Sequence, residues 1–374
     1  MPDSFDVVVM GAGIVGAACA LECAQAGLKV AIVEQGIVGG GATAAAMGHI
    51  VAMDDSEAQF MLTRYSQQLW LTLKGELPDE VEFETTGTIW VAADEQEMIE
   101  VRRKHTYYSE RRAPCEILDP KALEEAEPNL RKGLAGGLLV SEDAVLYPPT
   151  AAHWLWSRAQ RCGVAALERK VIAIRGAAVD FSDGSSLNTG LTVIATGTWL
   201  PELDGDLEIK KRKGHLAITD RYPGFIRHQL VELGYLKSAH SITSDSVAFN
   251  VQPRATGQIL IGSSRQYGAE DSDIDRSVMH SMLARACVYL PALTHTTVVR
   301  CWTGFRAATP DKLPLIGPST RKQNVWYACG HEGLGITTSL GTAKLLVDQI
   351  LGRPPAIPFA PYLPSRQLRE HAYA

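Results

Sequence analysis

The chain has 374 residues, which is more than a single hydrophobic core usually serves, so we expect two domains. Hydrophobic residues make up 46% of the chain, charged residues make up 21%, and the formal net charge is −6. This balance is typical of a globular protein, and the lack of a basic excess argues against a nucleic-acid-binding protein. No apolar run reaches the roughly 20 residues that a membrane-spanning helix needs.

The cysteines and the N-terminus also exclude several classes of protein. The first strand starts at Phe5, which leaves no room for a signal peptide before it, so we expect a cytoplasmic protein. The seven cysteines include no C-x-x-C pair, which argues against a disulfide framework and against a zinc or iron–sulfur cluster. Cys19 and Cys23 are four residues apart, and we interpret them as small packed hydrophobes. We therefore predict no metal site.

The N-terminal segment predicts a βαβ unit that binds a dinucleotide. An apolar strand at residues 7–10 runs directly into G-x-G-x-x-G. A helix then continues to about Gln25, and a second apolar strand at 30–33 ends at Glu34. A lone G-x-G-x-x-G is a weak signal, but here strand, helix, second strand and terminal acid follow in the expected order.

Each glycine of this fingerprint, and the acid that follows it, has a physical role. Gly11 permits the tight turn, Gly13 lets a pyrophosphate approach the backbone, and Gly16 lets the helix pack closely on the strand. The pyrophosphate then lies at the N-terminus of the helix. Glu34 follows Gly11 at about the 20-residue spacing of the acid that binds a ribose hydroxyl, and it disfavours the 2′-phosphate of NADP. The predicted cofactor site here also includes Ile14, Val15 and Gln35.

The next stretch, "GIVGGGATAAAMGHIV" at 36–51, is rich in glycine and alanine. A loop of small residues lets the chain lie flat against an extended cofactor. We predict cofactor contacts in this loop from Thr43, Ala44, Met47, Gly48 and His49.

Three further stretches of the sequence are motifs that bear on the type of cofactor. They are "TVIATGTW" at 192–199, "WTGFRAATPDKLPLIGP" at 302–318 and "YACGHEGLGITTSLGTAKLL" at 327–346. Together with the fingerprint and the small-residue loop, they resemble the D-amino-acid-oxidase superfamily of flavoproteins, in the branch of glycine oxidase and the sarcosine-oxidase β subunits. The resemblance covers nearly the whole chain, and it implies FAD as the cofactor.

A closer resemblance concerns the stretches 45–59, 250–266 and 330–337. They are similar to the FAD subunits of D-hydroxyproline and opine dehydrogenases. This implies a dehydrogenase that oxidises the Cα–N bond of a secondary or D-amino acid by hydride transfer to flavin N5, within a hetero-oligomer whose partner subunits carry further electron carriers. Leu260 stands where monomeric sarcosine oxidases have an oxygen-activating lysine, which favours a dehydrogenase, although glycine oxidases also lack that lysine. The alternatives are a self-sufficient glycine or D-amino-acid oxidase that uses O2, and a non-catalytic flavin-binding scaffold.

The resemblance and the strand patterns together predict an α/β fold in two parts. A discontinuous Rossmann-type FAD-binding domain comprises 1–80, 147–203 and 301–374. A second, antiparallel-sheet substrate domain comprises 81–146 and 204–300 and would form a roof over the flavin. The resemblance implies further cofactor contacts from Val171, Ala195, Thr196, Gly197, Trp199, Arg306, Gly333, Leu334, Gly335, Ile336 and Thr337.

The chemistry of the reaction calls for a cation that holds the substrate carboxylate. We predict this clamp at Arg306, whose planar guanidinium matches a carboxylate and whose G-x-R element holds the substrate in the family. Ala307 replaces the family's usual proline, which would loosen the backbone there. Asn250 is predicted to make a polar substrate contact. Arg254 and Arg265 are weaker candidates, interpreted as structural.

Four assignments stay open in the sequence. His49 should lie near the flavin, where it either contacts the substrate or tunes the ring, or does neither as a loop residue. The basic run at 208–215 is interpreted as a solvated edge before a strand; the alternative is a phosphate or partner contact, such as an FMN held between subunits. Asp54 and Asp55 are interpreted as helix-capping residues. Glu332 could touch substrate, a partner or water, while N–H groups at 334–337 would face the flavin pyrimidine from the start of the final helix.

Overall fold

The structure is a computed structural model, and it describes residues 4–200, 207–234 and 245–368. The helices within these ranges are α1 (Ile14–Gln25), α2 (Glu57–Leu73), α3 (Glu95–Glu110), α4 (Pro120–Ala126), α5 (Pro148–Arg161), α6 (Arg276–Tyr289) and α7 (Gly335–Ile350). The strands are β1 (Ser4–Met10), β2 (Val30–Glu34), β3 (His49–Ile50), β4 (Thr88–Ala92), β5 (Cys115–Leu118), β6 (Gly136–Val140), β7 (Ala144–Val145), β8 (Ala165–Glu168), β9 (Val171–Arg175), β10 (Ala178–Phe181), β11 (Ser186–Ile194), β12 (Lys210–Arg221), β13 (Gln229–Glu232), β14 (Ser246–Pro253), β15 (Gln258–Tyr267), β16 (Val298–Ala308), β17 (Leu315–Pro318), β18 (Val325–Cys329) and β19 (His331–Glu332).

The first sheet is the predicted nucleotide-binding sheet. Its main strand order is β17-β18-β11-β1-β2-β8, and β10 and β9 extend it beside β11 as a small antiparallel meander. Strand β1 pairs in parallel with both β2 and β11. Val7 and Val9 pack in a core shared with α1, α5 and α7, while Val8 and Met10 pack in a second core beneath the meander. Burial on both faces explains why this strand is continuously apolar.

The second sheet has nine strands in the order β19-β16-β12-β15-β14-β13-β4-β6-β5. Its pairs are antiparallel, as predicted, with one exception: β13 runs parallel to β4. One face carries its own apolar core against α6, in which the rings of Phe249 and Tyr289 stack with centroids 4.4 Å apart. The other face is turned toward the first sheet and forms part of the candidate site.

Strand β16 crosses the predicted domain boundary at residue 301. Its residues pair with β12 along nearly its whole length, from Val298 to Ala308, so the part predicted to lie in the nucleotide domain belongs to the second sheet. The backbone is not loosened at Ala307 either, because Ala307 is in register with Lys211 on one side and Glu332 on the other. The division into two domains stays a prediction, with this strand assigned to the second part.

The start of α2 corrects one expectation. Ser56 caps this helix, since its hydroxyl accepts a hydrogen bond from the Gln59 N–H at 3.1 Å. Asp54 does not cap it: its buried carboxylate binds the buried ammonium of Lys104 and, at 2.8 Å, the guanidinium of Arg103. Within the described residues, no helix is both long and apolar enough to cross a membrane.

Candidate active site

A cavity of about 860 Å³ lies between the two sheets. It is bounded by the carboxyl end of β1, the small-residue loop, the start of α7 and one face of the nine-stranded sheet. The predicted residues that line it are Gly11, Gly13, Ile14, Val15, Glu34, Gln35, Thr43, Ala44, Met47, Gly48, His49, Val171, Ala195, Thr196, Gly197, Trp199, Asn250, Arg306, Gly333, Leu334, Gly335 and Ile336. Segments distant in the sequence thus meet at one place.

Two predicted cofactor residues do not line the cavity. A Cβ added at Gly16 would lie 2.0 Å from the Gly11 carbonyl oxygen, so Gly16 serves the packing of α1 on β1. Thr337 is buried, and its hydroxyl donates to the His49 carbonyl at 2.8 Å and accepts from the Val51 N–H at 3.3 Å. The Thr337 side chain therefore holds the end of the small-residue loop against α7.

The first two glycines of the fingerprint shape one end of the cavity. Gly11 has φ +95°, and a Cβ there would lie 2.8 Å from the carbonyl oxygen of Ala195. Gly13 precedes α1 and offers no side-chain cap, so the helix N-terminus is open toward the cavity. The Thr43 hydroxyl accepts a hydrogen bond from the Ile14 N–H at 3.1 Å and so holds the small-residue loop against this terminus.

Glu34 lies at the end of β2 with its carboxylate fixed from two sides. Oε2 accepts from the Ala12 N–H at 2.8 Å, and Oε1 accepts from the Gly36 N–H at 2.9 Å. The backbone N–H of Arg169 donates to the Glu34 carbonyl at 3.0 Å, which brings the segment leading to Val171 beside it. A carboxylate oriented in this way can accept hydrogen bonds from ribose hydroxyls.

The small-residue loop packs directly against its surroundings, including the nine-stranded sheet, which forms the roof of the cavity. A Cβ at Gly48, which has φ +96°, would lie 2.0 Å from the Leu146 carbonyl oxygen, and one at Gly304 would lie 2.3 Å from the Ala45 Cβ. The Met47 carbonyl accepts from the Gln252 amide at 2.8 Å. Small residues are therefore required here by protein packing as well as by any bound cofactor.

The start of α7 differs slightly from expectation. The Leu334 N–H donates to the His331 carbonyl at 3.0 Å, so this N–H closes a turn and does not face the cavity as a free group. No side chain caps the helix, whose first residues, Gly335 and Ile336, line the cavity. The His331 imidazole is buried, and its Nε2 lies 3.0 Å from the Thr342 hydroxyl.

These features fit the predicted FAD. One end of the cavity has an oriented carboxylate beside an open helix N-terminus, and the other has the uncapped N-terminus of α7. Both are places where phosphate groups or a negatively charged ring are stabilised. The Thr196 hydroxyl lines the cavity between them and is buried without a protein partner among the described residues.

Arg306 lies in the roof with its guanidinium extended across β12. Nη1 donates to the Ser264 carbonyl on β15 at 3.0 Å. A Cβ at Gly214 would lie 2.5 Å from Nη1, and one at Gly333 would lie 3.5 Å from Nε. Gly214 therefore makes room for this side chain, and it was not predicted as part of the site.

Glu332 is part of a buried charge cluster beside Arg306. Its Oε1 accepts from Arg212 Nη1 at 2.6 Å, and its Oε2 accepts from its neighbouring Gly333 N–H at 2.6 Å. Burial raises the pKa of the Glu332 carboxyl, but three surrounding arginines outweigh this and lower the pKa to about 2; they are Arg265, Arg306 and Arg212. The Glu332 carboxylate is therefore ionised and lies among three guanidinium groups beside the cavity.

Only the start of the basic run at 208–215 is solvated as predicted: Lys210 is exposed, but the run is buried beyond Lys211. Arg212 and Lys213 lie within β12 and are only 6% and 3% exposed, since β12 is a central strand of the roof. Lys213 binds Asp271 at 2.8 Å. Arg254, by contrast, is structural as predicted: it binds Glu82 at 2.8 Å and does not line the cavity.

His49 is a neutral polar group in the cavity wall. Burial lowers the pKa of its imidazole to about 4; the Gln252 side chain raises it slightly, and Arg306 lowers it further. Nε2 is buried without a partner in the described part of the chain. At neutral pH the ring can therefore form hydrogen bonds, and it does not add a charge.

Asn250, which was predicted, lies in a row of polar side chains whose other members were not predicted from the sequence. Thr88, Trp90 and Gln229 line the cavity from the neighbouring strands, and Asp143 lies beside them. Burial raises the pKa of the Asp143 carboxyl to about 7, against lowering contributions from hydrogen-bonding neighbours. The alternation of "TIWVA" was the available signal, because it places Thr88 and Trp90 on the face opposite Ile89 and Val91.

Comparisons with known proteins agree with this geometry. Residues 6–349 match the DAO family model, described as FAD dependent oxidoreductase. The chain is 28% identical to glycine oxidase of Pseudomonas aeruginosa, over 97% of this chain and 99% of that protein. It is 26% identical to the hydrogen cyanide synthase subunit HcnC of Pseudomonas protegens, over 97% and 96%.

Among solved structures, glycine oxidase from Geobacillus kaustophilus superimposes with a TM-score of 0.87 at 25% identity, covering 99% of this chain and all of that one. L-proline dehydrogenase from P. horikoshii shares the fold, with a TM-score of 0.87 at 22% identity. The family match spans both sheets and every wall of the cavity. The chain belongs to the DAO family and is an FAD-dependent oxidoreductase.

Proposed function

We propose that this enzyme is a dehydrogenase that oxidises the Cα–N bond of a secondary or D-amino acid, of the D-hydroxyproline, D-proline or opine type, to an imine. The observation that carries the proposal is the Arg306 guanidinium, which is held across Gly214 in the cavity wall. A planar cation in this setting matches a carboxylate bidentately. The glycine oxidase relatives support an amino-acid substrate.

FAD, when bound, supplies the chemistry by accepting a hydride from the substrate Cα. The protein contributes position and electrostatics. Arg306 holds the carboxylate, and the second sheet closes the cavity above it against water. The neutral His49 ring offers a hydrogen bond without charge, so it does not oppose a neutral amine. The N-terminus of α7 stabilises negative charge that develops at its end of the cavity.

Dehydrogenase is favoured over oxidase by the position of Leu260. This side chain is buried in a small apolar cluster with Met47 and Leu216, so no cation projects from that position. We further propose that the chain is the flavin subunit of a hetero-oligomer and passes electrons to carriers in partner subunits. The resemblance to dehydrogenase subunits supports this assembly. The alternative is an oxidase that uses O2, and the glycine oxidase relatives favour it.

One experiment separates these functions. The purified flavin-loaded chain is mixed anaerobically with a panel of D- and secondary amino acids, and flavin bleaching is recorded. We expect bleaching, followed by fast turnover with an artificial electron acceptor and little H2O2 in air. Peroxide formation at the full turnover rate would show an oxidase. An absence of bleaching with every substrate would show a non-catalytic flavin scaffold.

A further inference from the structure

One part of the cavity wall is polar without an evident structural need. Strand pairing places Gln229 beside Thr88, and it places Val231 between Trp90 and Asn250. Side chains in register on neighbouring strands point to the same face, so these five residues form one patch on the roof. All five line the cavity.

This patch contrasts with the opposite face of the same strands. There, Ile89, Val91, Leu230 and Val251 are fully buried in an apolar core. The side chains on the cavity face are also buried from solvent: Thr88, Trp90, Gln229 and Asn250 are each no more than 8% exposed. A buried wall facing only apolar ligand atoms would favour apolar side chains on both faces.

The polar atoms of the patch lack protein partners. Trp90 Nε1, Gln229 Oε1 and Asn250 Oδ1 are buried without a hydrogen bond to the described residues. Asp143 lies beside them, and its carboxyl is hydrogen-bonded by the Ala52 N–H, the Gln67 amide and the Thr88 side chain. Buried polar atoms are normally paired, so the unpaired atoms of Trp90, Gln229 and Asn250 indicate a ligand that supplies the missing partners.

The position of the patch relative to Arg306 sets the size of that ligand. The guanidinium reaches back over β12 to the Ser264 carbonyl on β15. Strand β14, which carries Asn250, is the next strand, and β13, which carries Gln229, follows it. With strands about 4.8 Å apart, the patch begins roughly 5 to 10 Å from the carboxylate clamp. A small amino acid spans this distance.

The mixture of donors and acceptors restricts the chemistry of the ligand. Trp90 Nε1 can only donate, whereas the amide oxygens of Asn250 and Gln229 can accept. A hydroxyl satisfies both kinds, because it donates and accepts. An ammonium would leave the indole N–H without an acceptor, and a second carboxylate would face several acceptor oxygens.

We propose that Asn250, Gln229 and Trp90, with Thr88 and Asp143 beside them, form a specificity subsite for a hydroxyl group on the substrate side chain. This inference rests on the proposed function and narrows it to hydroxylated amino acids. It assigns Asn250 to the side-chain end of the substrate, and it separates that end from the carboxylate end at Arg306.

The test uses the flavin-loaded enzyme and two carboxylates that lack an amine and so cannot be oxidised at a Cα–N bond. They are cyclopentanecarboxylate and its 3-hydroxy derivative, with Kd measured from the change in the flavin spectrum. We expect the hydroxylated acid to bind about tenfold more tightly, as one or two hydrogen bonds provide. In Asn250→Leu and Gln229→Met, this preference should fall to near unity while the Kd of the plain acid changes less than about threefold.

Gln258→Met is the matched control, because Gln258 lies in the same sheet but outside the cavity, and it should keep the tenfold preference. Retained flavin absorbance shows that each variant is folded. Equal binding of the two acids by the unaltered enzyme overturns the subsite and leaves the proposed function standing. Tighter binding of the 3-amino analogue than of the 3-hydroxy acid also overturns it. If neither acid binds and no amino acid bleaches the flavin, the proposed function fails and the subsite fails with it.

Discussion

Arg212 and Glu332 form a buried ion pair between a central and an edge strand of the roof, with Nη1 and Oε1 2.6 Å apart. Their side chains are 7% and 11% exposed, so little water screens the pair. The same carboxylate offsets part of the charge of Arg306 and Arg265. Glu332 is therefore a structural counter-ion for the arginine cluster beside the cavity.

Glu332→Gln is expected to destabilise the protein by about 3–5 kcal/mol, because it breaks the buried ion pair with Arg212. Chemical denaturation of the flavin-free protein measures the effect. Glu57→Gln is the control: Glu57 binds Arg111 at 2.8 Å but is 54% exposed, and it should cost no more than about 1 kcal/mol. Equal losses in the two variants would contradict the role of Glu332 as a buried counter-ion.

Two fingerprint glycines should fail in different ways when changed to alanine. Gly16→Ala places a Cβ 2.0 Å from a backbone oxygen, so it should lower the unfolding free energy by about 2 kcal/mol or more. Gly13→Ala meets only the Thr43 hydroxyl at 3.4 Å, so the flavin-free protein should keep its stability and lose FAD affinity at least tenfold. Denaturation and flavin titration separate the two effects.

Gly75→Ala is the control for both, because nothing lies within 4 Å of an added Cβ there. It should change neither stability nor flavin affinity appreciably. Normal FAD binding by Gly13→Ala would show that the cofactor does not approach this backbone.

Glu34→Gln should weaken FAD binding about tenfold, because a neutral amide replaces a charged acceptor of the ribose hydroxyls. Flavin fluorescence titration measures the dissociation constant. Glu22→Gln is a matched change on α1, where Glu22 binds Lys344 away from the cavity, and it should leave FAD affinity intact. Comparable losses in both variants would point to a general effect of charge instead.

Arg306→Lys should weaken carboxylate binding about 10²-fold, or about 3 kcal/mol, because an ammonium cannot reproduce the planar fork. The Kd of cyclopentanecarboxylate on the flavin-loaded enzyme reports this directly, and flavin content should be unchanged. Arg254→Lys, which alters a pair outside the cavity, should bind the acid normally. Unchanged affinity in Arg306→Lys would remove this residue from the role of clamp.

Acid should destabilise the protein through His331. Burial lowers the pKa of this imidazole to about 3 from its usual 6.5, so the folded state favours the neutral ring. Below pH 6.5 the unfolded chain binds a proton that the folded chain does not, and stability falls by up to about 1.4 kcal/mol per pH unit until pH 3. His331→Gln removes this titration and can still hydrogen-bond Thr342. Denaturation at pH 7, 6 and 5 should show a shallower loss in the variant, and an identical slope would contradict the assignment.

Sequence spacing alone determined the nucleotide end of the cavity. The fingerprint, the acid at the end of β2 and the helix between them are contiguous in the chain, so local patterns place them relative to one another. The sequence also predicted that the second sheet is antiparallel, though not the order of its strands, since strand periodicity shows only which side chains share a face. The fingerprint predicted a dinucleotide, FAD followed from the resemblance carried by the further motifs, and the family match agrees with it.

The tertiary structure alone decided the substrate end. Arg212 and Glu332 are 120 residues apart, and the polar patch combines three strands with a loop residue. Periodicity does not reveal which strands become neighbours or what their shared face meets, and the basic run was misread for that reason. The arginine cluster and the polar patch exist only because the order of strands in the sheet brings these side chains to one wall.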